Sequence, residues 1–350
     1  MNKAEYRNIL IIKPSALGDI VHTLPVLGPL KRKYPQTKIT WLVRKEFAPL
    51  IENHSDIDSL IIFDRKLLAK SWYSLAAMKE LLRLIKTLKK GSFDLVIDFQ
   101  GLFRTALFAK ITGCKRRIGM SNAREFANLF YTDRITPPND SNHIVDYYFK
   151  ILNALDIKID NVQYGLKISS QAQQYIDGLL VENNVEKNNY IVFLPGSAQA
   201  IKCWPGENFA KLAEALSAQA NLKIIAAGTA SEKQQIESIA KQSSTLIINL
   251  AGQTNVSQLA ALLGGAKIVI GNDTGPGHIA FALGVPTIFI FGPSNPQRVA
   301  PYKSPQSIIA IDPDNRGSDY KSLAYEHRIE AVSVELVLEK ALQKLTLEIE

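Results

Sequence analysis

A glycine-rich turn between two apolar segments is the part of this chain best suited to hold an anion. The turn reads NDTGPGH at 272–278 and follows an apolar, β-branched run at 267–270 that is typical of a buried parallel strand. A short helix and a second strand at 287–291 come next. Free N–H groups at such a helix start favour phosphate, so the pattern predicts an anionic, phosphorylated ligand. An ordinary strand-to-helix turn capped by Asp273 or Thr274 has the same composition.

The loop at 13–19, KPSALGD, places a carboxylate where a predicted strand turns into a helix. The positive end of the helix dipole keeps Asp19 ionised, and an ionised carboxylate in a cleft is a candidate general base. The position suits a helix-capping aspartate equally well. The loop has one glycine where a dinucleotide fingerprint needs three, and the chain has no Walker lysine pattern. A nicotinamide dehydrogenase and a P-loop kinase are therefore disfavoured.

Two loops in the second half carry further polar groups. PGSAQAIKCWP at 195–205 offers a hydroxyl at Ser197 and a positive charge at Lys202, both suited to a diphosphate. GTASE at 228–232 ends on Glu232, which can accept hydrogen bonds from ribose or complement a helix dipole as a first-turn acid. Each loop follows a predicted strand, and ligands of doubly wound sheets bind beyond the carboxyl ends of the strands. We expect the loops to meet at one interdomain cleft.

Alternating strands and helices are needed to position these loops, and the alternation runs through both halves of the chain. Further strands are predicted at 8–13, 38–43, 59–64, 93–98, 190–194 and 222–227, and helices at 72–90, 143–155, 209–218, 256–263, 278–283 and 332–345. The alternation predicts two doubly wound α/β domains. We expect domains at 1–168 and 190–350, joined by a polar linker at 169–189.

Composition narrows the function classes. The chain has 350 residues and a net charge of +8, with its basic clusters in the first half, which indicates an acidic surface or substrate there. Aromatic residues are not interleaved with the basic runs, so nucleic acid is disfavoured. Two cysteines and five scattered histidines favour neither disulfides nor a zinc site. No apolar run approaches a membrane span and the charged start is no signal peptide, so we expect a cytoplasmic protein.

Several motifs, taken in order, resemble one known family over nearly the whole chain. They are KPSALGDIVHTLP at 13–25, VIDFQG at 96–101, KCWP at 202–205, NDTGPGH at 272–278 and Gly292-Pro293. This ordered set resembles the bacterial ADP-heptose:lipopolysaccharide heptosyltransferases, glycosyltransferase family 9. The first motif and NAREFANLFY at 122–131 look closest to heptosyltransferase I.

The resemblance implies a GT-B fold, in which two Rossmann-like domains with parallel sheets face an interdomain cleft. It also implies an inverting, metal-independent transfer of heptose from ADP-L-glycero-D-manno-heptose to a Kdo residue of the lipid A inner core. The implied partners are the nucleotide-sugar donor and an anionic, lipid-linked saccharide, with no cofactor and no nucleic acid. The implied location is the cytoplasm of a Gram-negative bacterium, with loose attachment to the cytoplasmic face of the inner membrane.

The same resemblance implies roles for individual residues. Asp19 corresponds to the base that deprotonates the acceptor hydroxyl, and Glu232 to a contact of the nucleoside ribose. Residues corresponding to contacts of the donor diphosphate and sugar are Ser197, Lys202, Asp273, Thr274, Gly275 and His278. Basic residues corresponding to contacts of the anionic acceptor are Arg65, Lys66, Lys70 and Arg124. Two details depart from the family: Ala198 follows Ser197 where relatives often carry a second hydroxyl, and the cluster near Arg65 is sparser.

Other functions remain open at this point. A GT-B enzyme with a different nucleotide-sugar donor, a later heptose acceptor or epimerase chemistry would share this architecture. A non-enzymatic two-domain binding protein would also suit a hinged cleft, although such proteins are usually exported and have no need of an ionised Asp19 facing a donor loop.

Overall fold

The chain forms two compact units, Met1–Lys167 and Ile168–Glu350. The computed structural model describes residues 6–346 except 160, 221, 317, 318, 320 and 323. Each unit contains a six-stranded sheet in which every neighbouring pair of strands is parallel. Among the described residues, no helix is both long enough and apolar enough to cross a bilayer.

The first unit has the strand order β3-β2-β1-β4-β5-β6. Its strands are β1 (Asn8–Ile12), β2 (Lys38–Arg44), β3 (Ser59–Phe63), β4 (Leu95–Asp98), β5 (Arg117–Met120) and β6 (Asp133–Ile135). Its helices are α1 (Leu17–Thr23), α2 (Leu27–Lys33), α3 (Ala48–Ile51), α4 (Arg65–Leu68), α5 (Leu75–Lys90), α6 (Phe103–Ile111) and α7 (Ile144–Asn153). The central strands are apolar and buried along their length, as expected of parallel strands covered on both faces.

The second unit has the order β12-β11-β10-β7-β8-β9. Its strands are β7 (Tyr190–Leu194), β8 (Lys223–Ala226), β9 (Ile247–Asn249), β10 (Ile268–Asn272), β11 (Thr287–Ile290) and β12 (Ile308–Ile309). Its helices are α8 (Ser170–Glu182), α9 (Gly206–Ala220), α10 (Lys233–Gln242), α11 (Val256–Gly264), α12 (Gly275–Ala282), α13 (Pro296–Val299) and α14 (Val334–Thr346). Its core lies between this sheet and helices that include α9 and α14.

Both sheets follow the same topology. Numbered within its own unit, each has the order 3-2-1-4-5-6 of the Rossmann fold, in which ligands bind where the strand order reverses. The reversal lies between β1 and β4 in the first unit and between β7 and β10 in the second. The register pairs Ile12 with Asp98 and Leu194 with Gly271, so the carboxyl ends of these strands lie side by side. The loops after them are therefore neighbours within each unit.

The two doubly wound α/β domains predicted from sequence are confirmed, with differences at several elements. Residues 169–189, expected to be a linker, contain α8 and belong to the second unit. Ser169 caps this helix by accepting a hydrogen bond from the N–H of Ala172 (3.1 Å), and Ile176 is buried beneath it. The helix predicted from residue 278 already begins at Gly275, because proline fits the first turn of a helix.

Candidate active site

One buried asparagine ties the carboxyl end of β10 to the loop after β7. The Asn272 side chain donates to the carbonyl of Pro195 (2.8 Å) and accepts from the backbone N–H of Trp204 (3.0 Å). The indole N–H of Trp204 donates in turn to the carbonyl of Val332 (2.9 Å). These bonds fix the loop near both of its ends, so the loop that carries Ser197 is held at the reversal point of the sheet.

Lys202, on this loop, pairs with the first residue after β10. Its Nζ lies 2.8 Å from Oδ2 of Asp273, and Nε2 of His278 lies 3.6 Å from Oδ1. Burial alone would raise the pKa of Asp273, but the hydrogen bond from His278 and the charge of Lys202 lower it to about 2. Asp273 is therefore ionised near neutral pH. It occupies one of the three donors of the Lys202 ammonium, and the described residues supply no acceptor for the other two.

The start of α12 lies directly after this ion pair. Thr274 is the N-cap residue and makes no capping bond with its side chain, while Pro276 lies in the first turn. The first N–H groups of a helix have no partner inside the helix and carry the positive end of its dipole. A Cβ on Gly277 would come within 2.7 Å of the Phe289 ring, so this helix can lie close to β11 only with glycine there. Lys202 and the α12 start therefore present a cation and unpaired helix N–H groups on either side of Asp273, an arrangement suited to an anion.

Glu232 caps a turn and also contacts the loop at 195–205. Its Oε2 accepts from the N–H (2.6 Å) and the hydroxyl (2.9 Å) of Thr229. A Cβ on Gly196 would lie 2.0 Å from Oε1, so this oxygen touches the loop just before Ser197. The Ser197 hydroxyl is half-buried and accepts a long bond from the N–H of Gln199 (3.4 Å). The structure thus brings Ser197 and Glu232 to the same short stretch of loop.

Asp19 lies in the first turn of α1, next to a buried lysine. Its Oδ2 accepts from the backbone N–H of Ala16 (3.1 Å) and lies 3.7 Å from Nζ of Lys13. Lys13 is 4% exposed and donates to the carbonyl of Phe99 (3.2 Å), while its Nζ lies 5.5 Å from the centroid of the Tyr148 ring. The Asp19 side chain is 37% exposed, and no described residue donates a hydrogen bond to its Oδ1. Asp19 therefore caps the helix with one oxygen and leaves the other accessible.

A buried carboxyl group at the end of β4 shapes the loop beside Asp19. Asp98 accepts hydrogen bonds from the N–H groups of Gln100 (2.9 Å) and Gly101 (3.2 Å) and from the hydroxyl of Tyr131 (2.8 Å). Burial raises the pKa of Asp98 and that of Tyr131. The amide oxygen of Gln100 also accepts from the N–H of Ser15 (3.3 Å), which links the loops after β1 and β4.

The basic residues expected at the acceptor are exposed and follow different strands. Arg65 and Lys66 form the first turn of α4, just after β3, and Lys70 comes two residues after that helix. Arg124 follows β5, and its backbone N–H donates to the carbonyl of Gly101 (3.0 Å), which places it beside the loop after β4. All four lie in segments that follow the carboxyl ends of strands in the first unit.

Sequence reasoning missed three supporting residues. Lys13, Asp98 and Asn272 form the hydrogen bonds that hold the site loops, yet none was singled out as a site residue. Their signal was visible: each is a polar side chain at the carboxyl end of a strand that is otherwise apolar. Within the described part of the chain, no group of three or more His, Cys, Asp or Glu side chains is arranged to hold a metal ion.

Comparison with known proteins identifies the family to which the chain belongs. The sequence model of glycosyltransferase family 9 (heptosyltransferase) matches residues 81–329. The chain is 29% identical to the lipopolysaccharide core heptosyltransferase OpsX of Haemophilus influenzae, over 90% of this chain and 87% of that protein. It is 26% identical to lipopolysaccharide heptosyltransferase 1 of Escherichia coli K12, over 88% and 94% of the two chains. Lipopolysaccharide heptosyltransferase 3 of the same strain is 29% identical, over 79% of each chain.

The fold agrees with a solved structure of this group. The E. coli heptosyltransferase WaaC, solved with ADP, superposes with a TM-score of 0.78 at 24% identity, covering 96% of this chain and 99% of that one. The likeness establishes the GT-B fold, and the family match covers well over half of the sequence. The chain is therefore a glycosyltransferase and a member of glycosyltransferase family 9, the heptosyltransferases.

Proposed function

We propose that this protein transfers heptose from ADP-L-glycero-D-manno-heptose to a Kdo residue of the lipid A inner core, with inversion and without a metal ion. The observation that carries the proposal is the Lys202–Asp273 ion pair at the start of α12, at the reversal point of the second sheet. A buried carboxylate there holds a cation whose two other donors have no acceptor among the described residues and can meet a diphosphate. The E. coli structure with ADP supports an adenosine diphosphate as the leaving group.

The second unit acts as the donor domain in this proposal. Lys202 and the N–H groups of α12 stabilise the negative charge that develops on the diphosphate as it leaves, and the Ser197 hydroxyl donates one further hydrogen bond. One well-placed donor of this kind contributes roughly 3–4 kcal/mol to the transition state. Oε1 of Glu232 accepts hydrogen bonds from the ribose hydroxyls, and Asp273 holds Lys202 in place. Because the protein itself supplies the positive charge, the reaction needs no divalent cation.

The first unit acts as the acceptor domain. Its Asp19 carboxylate takes the proton of the acceptor hydroxyl as that oxygen attacks the anomeric carbon of heptose. The bond from this carbon to the β-phosphate oxygen breaks, and ADP leaves with the electron pair. A single displacement inverts the anomeric configuration. Arg124, placed beside the loop after β4, binds the acceptor carboxylate in a bidentate manner, and Arg65, Lys66 and Lys70 bind its phosphate groups.

A later heptose acceptor is the second candidate. The chain is no less similar to heptosyltransferase 3 of E. coli, at 29% identity, than to heptosyltransferase 1, at 26%. Both candidates use the same donor and the same leaving-group site. They differ only in the sugar that the first unit binds, and both place the enzyme in the cytoplasm, at the inner membrane that carries its acceptor.

A product analysis tests the proposal and separates the candidates. The protein is incubated with ADP-heptose and truncated core lipids that end either in Kdo or in heptose, with and without EDTA, and the products are weighed by mass spectrometry. We expect one heptosyl residue added to the Kdo-terminated lipid, an inverted anomeric centre by NMR, and no effect of EDTA. Turnover of UDP-sugars alone would overturn the donor assignment. Tight binding of both substrates without product would indicate a binding protein.

A further inference from the structure

The first unit has an exposed apolar surface that has no role in the proposed sugar transfer. Five large apolar or aromatic side chains there are exposed: Trp72 (82%), Tyr73 (60%), Leu75 (84%), Met78 (39%) and Leu82 (56%). We call these five residues the 72–82 patch. The rings of Trp72 and Tyr73 pack edge to face, with centroids 4.7 Å apart. Isolated apolar side chains are common on surfaces, but a contiguous group marks an interaction site.

The apolar residues of α5 in this patch lie on the side opposite its core-facing residues. Ala77, Leu84 and Leu88 are buried against the unit. Leu75 and Leu82 are seven residues apart, about two turns, and so lie on one face of the helix. That face is the outer one, since both residues are exposed. The helix therefore has two apolar faces, and only the inner one is used for folding.

Positive charge surrounds the patch. Residues 65–90 contain eight lysines and arginines and one glutamate, a net charge of +7 in a chain whose total is +8. The glutamate, Glu80, lies 3.8 Å from Arg83, and within the described residues no acidic side chain pairs with the other seven cations. The exposed cations of α5 are Lys79, Arg83, Lys86, Lys89 and Lys90. The outer surface of α5 thus combines long apolar side chains with unneutralised cations.

We propose that the 72–82 patch binds the surface of a bilayer rich in anionic phospholipid, with α5 lying in the interface. Tryptophan and tyrosine prefer the water–lipid boundary, and leucines insert below it. Lysine and arginine can extend their charged ends to the headgroups while their methylene stems stay among the lipids. A protein partner fits less well, because lysine is depleted from protein–protein interfaces. The proposal deepens the proposed function, which places the enzyme at the inner membrane. Its test can fail separately from sugar transfer, since binding to lipid requires no substrate.

Vesicle binding tests the proposal directly. The protein is sedimented with vesicles of phosphatidylethanolamine and phosphatidylglycerol, or of phosphatidylcholine alone, at low and high salt. The patch variant carries Trp72→Ser, Leu75→Ser and Leu82→Ser. A matched control carries Val181→Ser and Leu246→Ser, two side chains of the second unit that are 73% and 67% exposed.

We expect the wild type and the control to bind the anionic vesicles and to release them at high salt. The patch variant should bind at least tenfold less, since each methylene group buried in lipid is worth about fourfold in partitioning. Equal binding by the patch variant and the control would overturn the proposal, as would equal binding of the wild type to neutral vesicles. If the wild type binds neither the anionic nor the neutral vesicles but dimerises through the patch, the surface binds a second copy of the chain and not a bilayer.

Tryptophan fluorescence gives an independent readout. The chain has three tryptophans; Trp41 and Trp204 are buried (0% and 1% exposed), so Trp72 dominates any change caused by vesicles. We expect its emission to shift to the blue on addition of anionic vesicles and to become protected from an aqueous quencher. If the protein sediments with the vesicles but its tryptophan emission spectrum is unchanged, Trp72 stays in water, which contradicts the proposed orientation.

Discussion

From the Lys202–Asp273 ion pair we predict a double variant that regains stability without regaining activity. Lys202→Met removes the cation and keeps most of the side-chain length. It leaves the Asp273 carboxylate, 7% exposed, with His278 at 3.6 Å. Removing one partner of a buried pair costs roughly 3–5 kcal/mol of unfolding free energy. Because Lys202 is 20% exposed and His278 remains, we expect a loss of about 2 kcal/mol.

The second substitution, Asp273→Asn, removes the charge that Lys202→Met leaves unpaired. The double variant should therefore recover most of the lost stability in urea unfolding at neutral pH. Its kcat/KM should stay about 10²–10³ below the wild type, because the leaving diphosphate still meets no cation. Initial rates of ADP release measure the activity, and calorimetric titration measures the affinity for ADP.

The pH dependence supplies a control on the same variants. The folded pKa of Asp273, about 2, lies below its ordinary value of 3.8, so its ionised form stabilises the fold above pH 3.8 and this contribution is lost as the pH falls to about 2. Stability of the wild type relative to the double variant should therefore decrease across that interval. A double variant with wild-type kcat/KM would refute the reasoning, since Lys202 would then serve only as the partner of Asp273.

Three further substitutions test other parts of the site. Asp19→Asn keeps a helix-capping oxygen and should lower kcat at least a hundredfold with an unchanged Kd for ADP. The control, Glu52→Gln at an exposed position, should leave both kcat and Kd unchanged. A kcat of Asp19→Asn equal to that of the wild type would remove Asp19 from the mechanism. Gly196→Ala places a Cβ 2.0 Å from the Glu232 carboxylate and should raise the Kd for ADP about tenfold, as measured by calorimetry. Gly178→Ala, in a helix with no atom within 4 Å of the added Cβ, should stabilise the chain by about 0.5–1 kcal/mol with unchanged kinetics.

The central strands of both sheets could be predicted because burial on both faces gives continuous apolar runs. Strands β5, β6 and β9 were not predicted, because their sequences RIGM, DRI and IIN contain polar residues or glycine and give no continuous apolar run. Helix α8 was missed because about half of its residues are polar and its buried residues, Ala172, Ile176 and Leu180, are few. Local sequence therefore predicts the layers of the fold better than their edges.

The contacts within the site could not be predicted from the sequence without knowing the order of the strands in each sheet. Lys202 and Asp273 are 71 residues apart, and nothing local in the sequence indicates that they form an ion pair. Their contact follows from the parallel pairing of β7 with β10, which aligns the loops that come after both strands. The same holds for Lys13, whose bond to the carbonyl of Phe99 depends on the pairing of β1 with β4.

For two carboxylates, the structure shows that the capping and functional interpretations are compatible. Asp19 and Glu232 each use one oxygen to accept backbone or hydroxyl hydrogen bonds at a helix start. The second oxygen of each is directed elsewhere: Oδ1 of Asp19 has no donor among the described residues, and Oε1 of Glu232 touches Gly196. A carboxylate fixed through one oxygen keeps a defined orientation for the other, which is what a general base or a ribose contact requires. Helix capping at these positions is therefore compatible with the proposed roles of both carboxylates.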